Sequence, residues 1–97
     1  MKINVLDLAQ DHIRDSSRFY EMQAPGLGSY FLASILEDIR KLKITAGVHQ
    51  LVLGKYHRSV SRRFPFAIYY RIEADQIWVH AVIDSRRHPD WIREQIK

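Results

Sequence analysis

The 97-residue sequence contains no cysteine and no long apolar run. Without cysteine it cannot form a disulfide framework, a thiolate metal site or a cysteine nucleophile. Because a secreted domain this small usually depends on disulfides, we expect a cytoplasmic protein. No segment approaches the roughly 20 apolar residues of a membrane span, and residues 1–10 are too short and polar for a signal peptide. The sequence therefore predicts one small domain over residues 1–97, with no membrane contact.

Motifs for metals, phosphates and the common nucleophiles are also missing. Neither a glycine-rich phosphate loop nor a GxSxG segment occurs in this sequence. The histidines form no HxxxH or HxH pair; they are His12, His49, His57, His80 and His88. We therefore expect neither a metal ion nor a cofactor.

Positive charge is concentrated in the second half of the chain. Residues 1–54 contain six Lys or Arg and six Asp or Glu, whereas residues 55–97 contain nine and five, which accounts for the formal net charge of +4. This asymmetry favours an anionic partner, either nucleic acid or an acidic protein segment. The alternative is the ordinary basic face of a soluble domain.

The first half of the sequence predicts a strand followed by two helices. Residues 2–6 are a short strand candidate, and Asp7 with Gln10 resembles a capping box that would start the first helix. Its apolar stripe is formed by Ala9, Ile13, Ser16 and Tyr20, widened by Phe19 and Met22. Pro25 and Gly26 should end it. The second helix should end near Gly47, and its stripe is Leu27, Phe31, Ile35, Ile39 and Leu42.

After Gly54 the period of the pattern changes to two, which indicates strands. Residues 64–72 and 77–83 predict an antiparallel hairpin around a turn at residues 73–75, and residues 56–62 predict a further strand. Phe64, Phe66, Ile68, Tyr70 and Ile72 should share one face of the sheet, and Ile77, Val79, Ala81 and Ile83 should share a face of the next strand. A short helix over residues 88–96 should begin at Pro89. The fold class is α+β, with a helical hairpin packed on a mainly antiparallel sheet.

Arginines mark both ends of the predicted hairpin. Because these two ends meet at one end of the sheet, we expect a single cationic patch formed by Arg58, Arg62, Arg63, Arg86, Arg87 and His88, with Lys55, Tyr56 and Trp91 nearby. Arginine offers a planar donor fork to phosphate. His88 is a candidate proton-transfer group, with Tyr56 or Tyr69 as a weaker second one. The structural alternatives are a helix cap for His88, a solvated strand edge for the arginines and core packing for Trp91.

Three segments carry a resemblance to RelE/ParE-type toxins, often called plasmid stabilisation proteins. They are GLG at residues 26–28, RFPF at residues 63–66 with Ile68 and Tyr70 downstream, and RRHP at residues 86–89. The sequence most resembles the ParE-like branch, and the similarity covers essentially the whole chain. The resemblance implies an α+β toxin of a type II toxin–antitoxin module, bound by a cognate antitoxin and contacting DNA only through it.

The resemblance leaves two targets open. ParE-like members inhibit DNA gyrase, whereas RelE-like members are endoribonucleases that cut mRNA on the ribosome. For an endoribonuclease, it places Arg63, Arg87 and His88 in the catalytic set. Substrate or partner contacts would then be made by Lys55, Tyr56, Arg58, Arg62, Arg86 and Trp91.

Overall fold

The computed structural model describes residues 1–96. The elements are β1 (Lys2–Val5), α1 (Asp7–Gln23), α2 (Leu27–Thr45), β2 (Gln50–Val52), β3 (Tyr56–Val60), β4 (Phe66–Glu73), β5 (Gln76–Asp84) and α3 (Pro89–Ile96). Within these residues the strands form one five-stranded sheet in the order β1-β5-β4-β3-β2, in which only β1 runs parallel to its neighbour. The predicted order of elements and the mainly antiparallel sheet are confirmed, and β2 is a strand that the sequence pattern did not predict.

Helix α1 begins at Asp7 as predicted, but the capping box is wrong. Leu6 occupies the N-cap position, and no side chain caps this helix. The Gln10 amide instead donates to the Val5 carbonyl at 2.8 Å. The predicted apolar stripe is also narrower than expected, because Phe19 is 58% and Met22 86% exposed.

The α1–α2 connection uses two glycines for different physical reasons. Gly26 has φ +85°, a left-handed conformation that glycine adopts without steric cost. Gly28 lies where α2 comes close to α1, and an added Cβ there would lie 2.8 Å from the Glu21 Cβ. The Glu21 carboxylate accepts the Gly26 and Gly28 N–H groups, each at 3.0 Å, so it fixes the turn.

The main core lies between the helical hairpin and one face of the sheet, called here the helix side. Helix α2 contributes Phe31, Ile35, Ile39 and Leu42. The sheet and the segment before β4 contribute Phe64, Phe66, Ile68, Tyr70, Ile77, Val79 and Val82. The opposite face, called here the outer side, has a smaller core formed by Tyr56, Ala67, Tyr69, Ala81, Ile83, Ile92 and Ile96. Helix α3 supplies two of those residues, so it covers part of the outer side.

A β-bulge changes the predicted pattern of strand β5. Tyr69 pairs with Ala81 but Tyr70 pairs with Val79, so His80 is the extra residue on β5. The bulge exchanges the faces of the strand. Val79 and Val82 therefore face the helix side, whereas Ala81 and Ile83 face the outer side. The expectation that Val79, Ala81 and Ile83 share one face is wrong.

Candidate functional site

The sheet separates the cationic residues that the sequence places in one patch. Arg62 and Arg63 line a groove on the helix side, together with residues of α2. Arg58 and Arg87 line a depression on the outer side, together with Tyr69 and Ile92. Sequence reasoning located these residues near the same end of the sheet but did not assign them to its two faces. Arg62 and Arg63 therefore do not share a cavity with Arg58 and Arg87.

The groove on the helix side, called here the α2–β3 groove, is a cavity of about 510 Å³. Its lining is mostly polar and carries both signs of charge: Ser34, Glu37, Asp38, Lys41, Thr45, His49, Ser59, Val60, Arg62 and Arg63. The Arg63 guanidinium lies 5.9 Å from the centre of the Tyr30 ring, a cation–π arrangement on α2. A groove with both signs of charge suits a peptide better than a polyanion, because Glu37 and Asp38 would repel phosphates.

The edge of β3 is open beside this groove. Strand β2 pairs with β3 only at residues 56–58, so among residues 1–96 no strand lies beyond the Ser59–Val60 end. The Ser61 N–H donates to the Phe66 carbonyl at 2.8 Å. In an antiparallel strand, the N–H and C=O groups of successive residues point to opposite sides of the strand. Those of Val60 therefore point away from β4, toward the open edge. The Val60 side chain is 54% exposed there.

At one end of the groove, His49 contacts a second histidine and a buried tyrosine, a cluster that sequence reasoning did not connect. The Tyr70 hydroxyl lies 2.5 Å from His49 Nδ1 and accepts the Gly47 N–H at 3.0 Å. The His57 ring stacks on the Tyr70 ring, with centroids 5.0 Å apart, and its Nδ1 lies 2.9 Å from the His49 carbonyl oxygen. Burial, followed by the nearby His57, lowers the pKa of His49, and burial raises the pKa of Tyr70. Identifying β2 and its turn at Leu53–Gly54 would have indicated that His49 and His57 are neighbours.

The depression on the outer side, called here the Arg58–Arg87 site, has a volume of about 230 Å³. Arg58 Nε donates to the Tyr69 hydroxyl at 3.3 Å. The Arg87 guanidinium lies 4.1 Å from the centre of the half-buried Trp91 ring. Arg58 is half-buried and Arg87 is exposed, so both guanidinium groups are within reach of a ligand at the surface. The site therefore has two guanidinium groups that can donate hydrogen bonds to a phosphate, and one tyrosine hydroxyl.

Lys55 and Tyr56 lie on the outer side, toward the C-terminal end of α3. The Tyr56 side chain is buried, and its hydroxyl donates to the Ile96 carbonyl at 2.7 Å, so it anchors α3. Lys55 Nζ lies 5.4 Å from the centre of the Tyr56 ring. His80 packs edge-on against the same ring, and burial, with smaller contributions from Arg71 and Lys55, lowers its pKa. Tyr56 and His80 are therefore packing residues in this fold.

His88 and Arg86 have local partners. His88 Nδ1 accepts the Asp90 N–H at 3.1 Å, which caps α3, and its side chain is 73% exposed. Arg86 donates two hydrogen bonds to the Asp84 carboxylate, from Nε at 3.0 Å and from a terminal nitrogen at 2.7 Å. Hydrogen bonds from this guanidinium lower the pKa of Asp84. The cap that the sequence offered as the structural alternative for His88 is present.

Residues 1–96 lack two further features. No helix in that range is long and apolar enough to cross a membrane. The same range contains no group of three or more His, Cys, Asp or Glu side chains arranged to hold a metal ion.

Comparison with known proteins shows a likeness in structure. The sequence matches no protein-family model and no curated protein. Among solved structures, a chain of the chromosomal ParDE TA (toxin–antitoxin) system from P. aeruginosa superposes with a TM-score of 0.80 at 15% sequence identity, over 87% of this chain and 95% of that one. At this identity the likeness establishes the fold, and the expected fold class is confirmed. This chain therefore shares its α+β fold with a component of a ParDE toxin–antitoxin system.

Proposed function

We propose that this chain is the toxin of a type II toxin–antitoxin module, that it inhibits DNA gyrase by protein–protein contact, and that a cognate antitoxin neutralises it. The observation that carries the proposal is the likeness to a chain of a ParDE system over 87% of the length at a TM-score of 0.80. The GLG, RFPF and RRHP segments support the same family independently of the structure.

The placement of the nuclease residues favours gyrase over mRNA as the target. Arg63 lies on the helix side, over the Tyr30 ring, whereas Arg87 lies on the outer side, over the Trp91 ring. His88 caps α3. RNA cleavage requires an acid, a base and cations around one phosphate, and Arg63 and Arg87 do not meet in one site. Inhibition of a protein target requires no such set.

The α2–β3 groove is the surface that we assign to the antitoxin. An extended segment can add to the open edge of β3 through the N–H and C=O of Val60. Carboxylates of that segment would pair with Arg62 and Arg63, and a basic residue would pair with Asp38. The Ser34–Thr45 wall of α2 is roughly 16 Å long at 1.5 Å per residue, which matches about five extended residues.

The test is expression of the chain alone, followed within minutes by separate measurements of DNA breakage, protein synthesis and mRNA integrity. Gyrase inhibition predicts DNA breaks with intact messages, and relief when the product of a neighbouring short reading frame is co-expressed. Normal growth, with soluble folded protein in the cells, would contradict the toxin proposal.

The second candidate function is mRNA cleavage, and the observation in its favour is the Arg58–Arg87 site. It places Arg58, Tyr69 and Arg87 around one surface depression, with Arg58 Nε 3.3 Å from the Tyr69 hydroxyl. This set replaces the one based on Arg63 and His88. Under this alternative, Tyr69→Phe or Arg87→Ala should reduce the rate of message cleavage by about 10²-fold or more. Intact mRNA during growth arrest by the unaltered chain would exclude it.

A further inference from the structure

The His49–Tyr70–His57 cluster connects three parts of the chain that are distant in sequence. Tyr70 lies in the middle of β4 and is fully buried. Its hydroxyl reaches the segment between α2 and β2, where it contacts Gly47 and His49. His57, on β3, covers the Tyr70 ring and holds the carbonyl of His49. Residues 47–49 are therefore fastened to the sheet by side chains of two strands.

The donors and acceptors of this cluster lead us to assign its protons as follows. The Gly47 N–H is a donor, so the Tyr70 oxygen accepts it, and the Tyr70 O–H is left to donate to His49 Nδ1. With the Tyr70 O–H assigned as the donor, His49 Nδ1 is the acceptor, and we assign the proton of the neutral ring to Nε2. The His57 Nδ1–H donates to the His49 carbonyl, a bond that a second proton on His57 leaves intact. His49 is thus the ring whose protonation disrupts the cluster.

Protonation of His49 would have two consequences. Its Nδ1–H would face the Tyr70 O–H, and the hydroxyl proton would lose its acceptor beside the core. The charged ring would also lie in a groove whose lining carries more cations than carboxylates. The groups that face it are His57 from β3, Tyr70 from β4, Glu37, Asp38 and Lys41 from α2, and Arg62 and Arg63 from the segment before β4. Within residues 1–96, the Glu37 carboxylate lies 3.9 Å from Lys41 Nζ, so this acid already has a cationic partner.

Little else holds the segment that the cluster fastens. Within residues 1–96, strand β2 has three residues, at positions 50–52, and pairs only with β3; its Val52 packs partly against the outer-side core. Val48 and Leu51 are 78% and 58% exposed, so apolar burial contributes little there. Gly47 has φ +93° and follows the C-terminal end of α2. Release of His49 would therefore free both β2 and the His49 end of the α2–β3 groove.

We propose that the His49–Tyr70–His57 cluster is a pH-sensitive latch that fastens β2 and one end of the α2–β3 groove while His49 is neutral and releases them when it is protonated. Acidification would thereby alter the groove without unfolding the domain. The lowered pKa of His49 places the change below the ordinary histidine value of about 6.5. The consequence for antitoxin binding rests on the proposed function, whereas the latch itself belongs to the free chain.

The test is amide hydrogen exchange of the free, full-length chain at pH 7.5 and pH 5.0, expressed as protection factors. Gly47 reports the latch and Ile68, which is fully buried in β4, reports global unfolding. We expect the Gly47 protection factor to fall about tenfold or more at pH 5.0 relative to that of Ile68, as loss of a buried hydrogen bond implies.

Two variants isolate His49. Asn places an acceptor near the Nδ1 position but does not titrate, so His49→Asn should keep Gly47 protected at both pH values. Tyr70→Phe should leave Gly47 poorly protected at both. His88→Asn removes an exposed histidine elsewhere and should behave like the unaltered chain. If Tyr70→Phe does not fold, the His49→Asn comparison decides alone.

Three outcomes would overturn the latch: equal Gly47 protection at the two pH values, an unchanged pH response in His49→Asn, or a parallel fall of Gly47 and Ile68. None of them bears on whether the chain is a toxin. Conversely, absence of toxicity in cells would remove the proposed function and leave the exchange result standing.

Discussion

Tyr69 and Tyr70 are neighbours in sequence and serve opposite sides of the sheet. The Tyr69 hydroxyl meets Arg58 on the outer side, whereas the Tyr70 hydroxyl meets Gly47 and His49 on the helix side. Successive side chains of a strand point to opposite faces, so this division follows from their positions in β4. What each hydroxyl contacts depends on segments 11 to 23 residues away, and single-residue variants can therefore test the two sides separately.

The environment of His12 leads us to expect that the free energy of unfolding depends on pH. Strand β1 ends at Val5, opposite Val79, and further along β5 the Val82 N–H donates to His12 Nδ1 at 3.2 Å. Burial lowers the pKa of His12 below its ordinary value of about 6.5. The unfolded chain therefore binds a proton at His12 more readily than the folded chain does. The contribution of neutral His12 to the free energy of unfolding is present above about pH 6.5 and is lost as the pH falls below it. The lowered pKa values of His49 and His80 act in the same direction.

We expect the free energy of unfolding, measured by chemical denaturation, to be lower at pH 5.5 than at pH 7.5. His12→Asn keeps an acceptor for Val82 without a titrating ring, so its loss between these pH values should be smaller. An equal loss in the variant would show that His12 is not a source of the pH dependence. The lowered pKa of Asp84 acts at more acidic pH, because the ordinary value of an aspartate is about 3.9.

At the scale of elements, the close approach of α1 and α2 fixes the helical hairpin. Gly28 is helical, and propensity alone predicts that Gly28→Ala gains about 1 kcal/mol. The added Cβ would instead crowd the backbone of Ser17 and the Glu21 Cβ, so we expect a net loss of about 1–3 kcal/mol in thermal or chemical unfolding. Ser29→Ala, at the exposed neighbouring position, is the matched control. A stabilised Gly28→Ala would contradict the close packing of the two helices.

The β4–β5 turn contains local strain that substitution can relieve. Ala74 and Asp75 are its two central residues and both have positive φ, 53° and 58°. A two-residue turn of this kind is type I′, which favours Asn-Gly. The double variant Ala74→Asn, Asp75→Gly should therefore stabilise the domain by about 1 kcal/mol, seen as a higher Tm. Ala33→Asn, on the exposed face of α2, should instead destabilise it, by about 0.5 kcal/mol.

At the scale of the whole molecule, the sheet separates two surfaces that different partners can occupy. We assign the α2–β3 groove to the antitoxin, and the Arg58–Arg87 site, with its Trp91 and arginines, resembles the anchor composition of protein interfaces. Val60→Glu with Arg62→Glu should weaken antitoxin binding at least tenfold in a direct binding assay while toxicity persists. Arg58→Ala with Arg87→Ala should reduce toxicity while antitoxin binding persists. Loss of both properties in either folded variant would contradict the separation.

The core and the strands illustrate which features the sequence pattern could predict. The helical stripe from Phe31 to Leu42 and the alternation from Phe64 to Tyr70 identified the core, because burial imposes those periods on the sequence. The predicted sheet face of Ala81 and Ile83 was wrong, because a bulge depends on pairing with β4 and leaves no signal in the local sequence. Short β2 was missed for a related reason: its three residues form a strand only because β3 is beside them.

The sequence by itself determined the order and type of the main elements, the excess of positive charge after residue 54 and the resemblance to RelE/ParE toxins. These are properties of local periodicity and composition, which need no knowledge of distant contacts. The tertiary structure alone decided that Arg62 and Arg63 lie on the opposite side of the sheet from Arg58 and Arg87. It also brought His49, His57 and Tyr70 together. The face of a side chain depends on strand pairing and register, which are set by contacts between residues far apart in the chain.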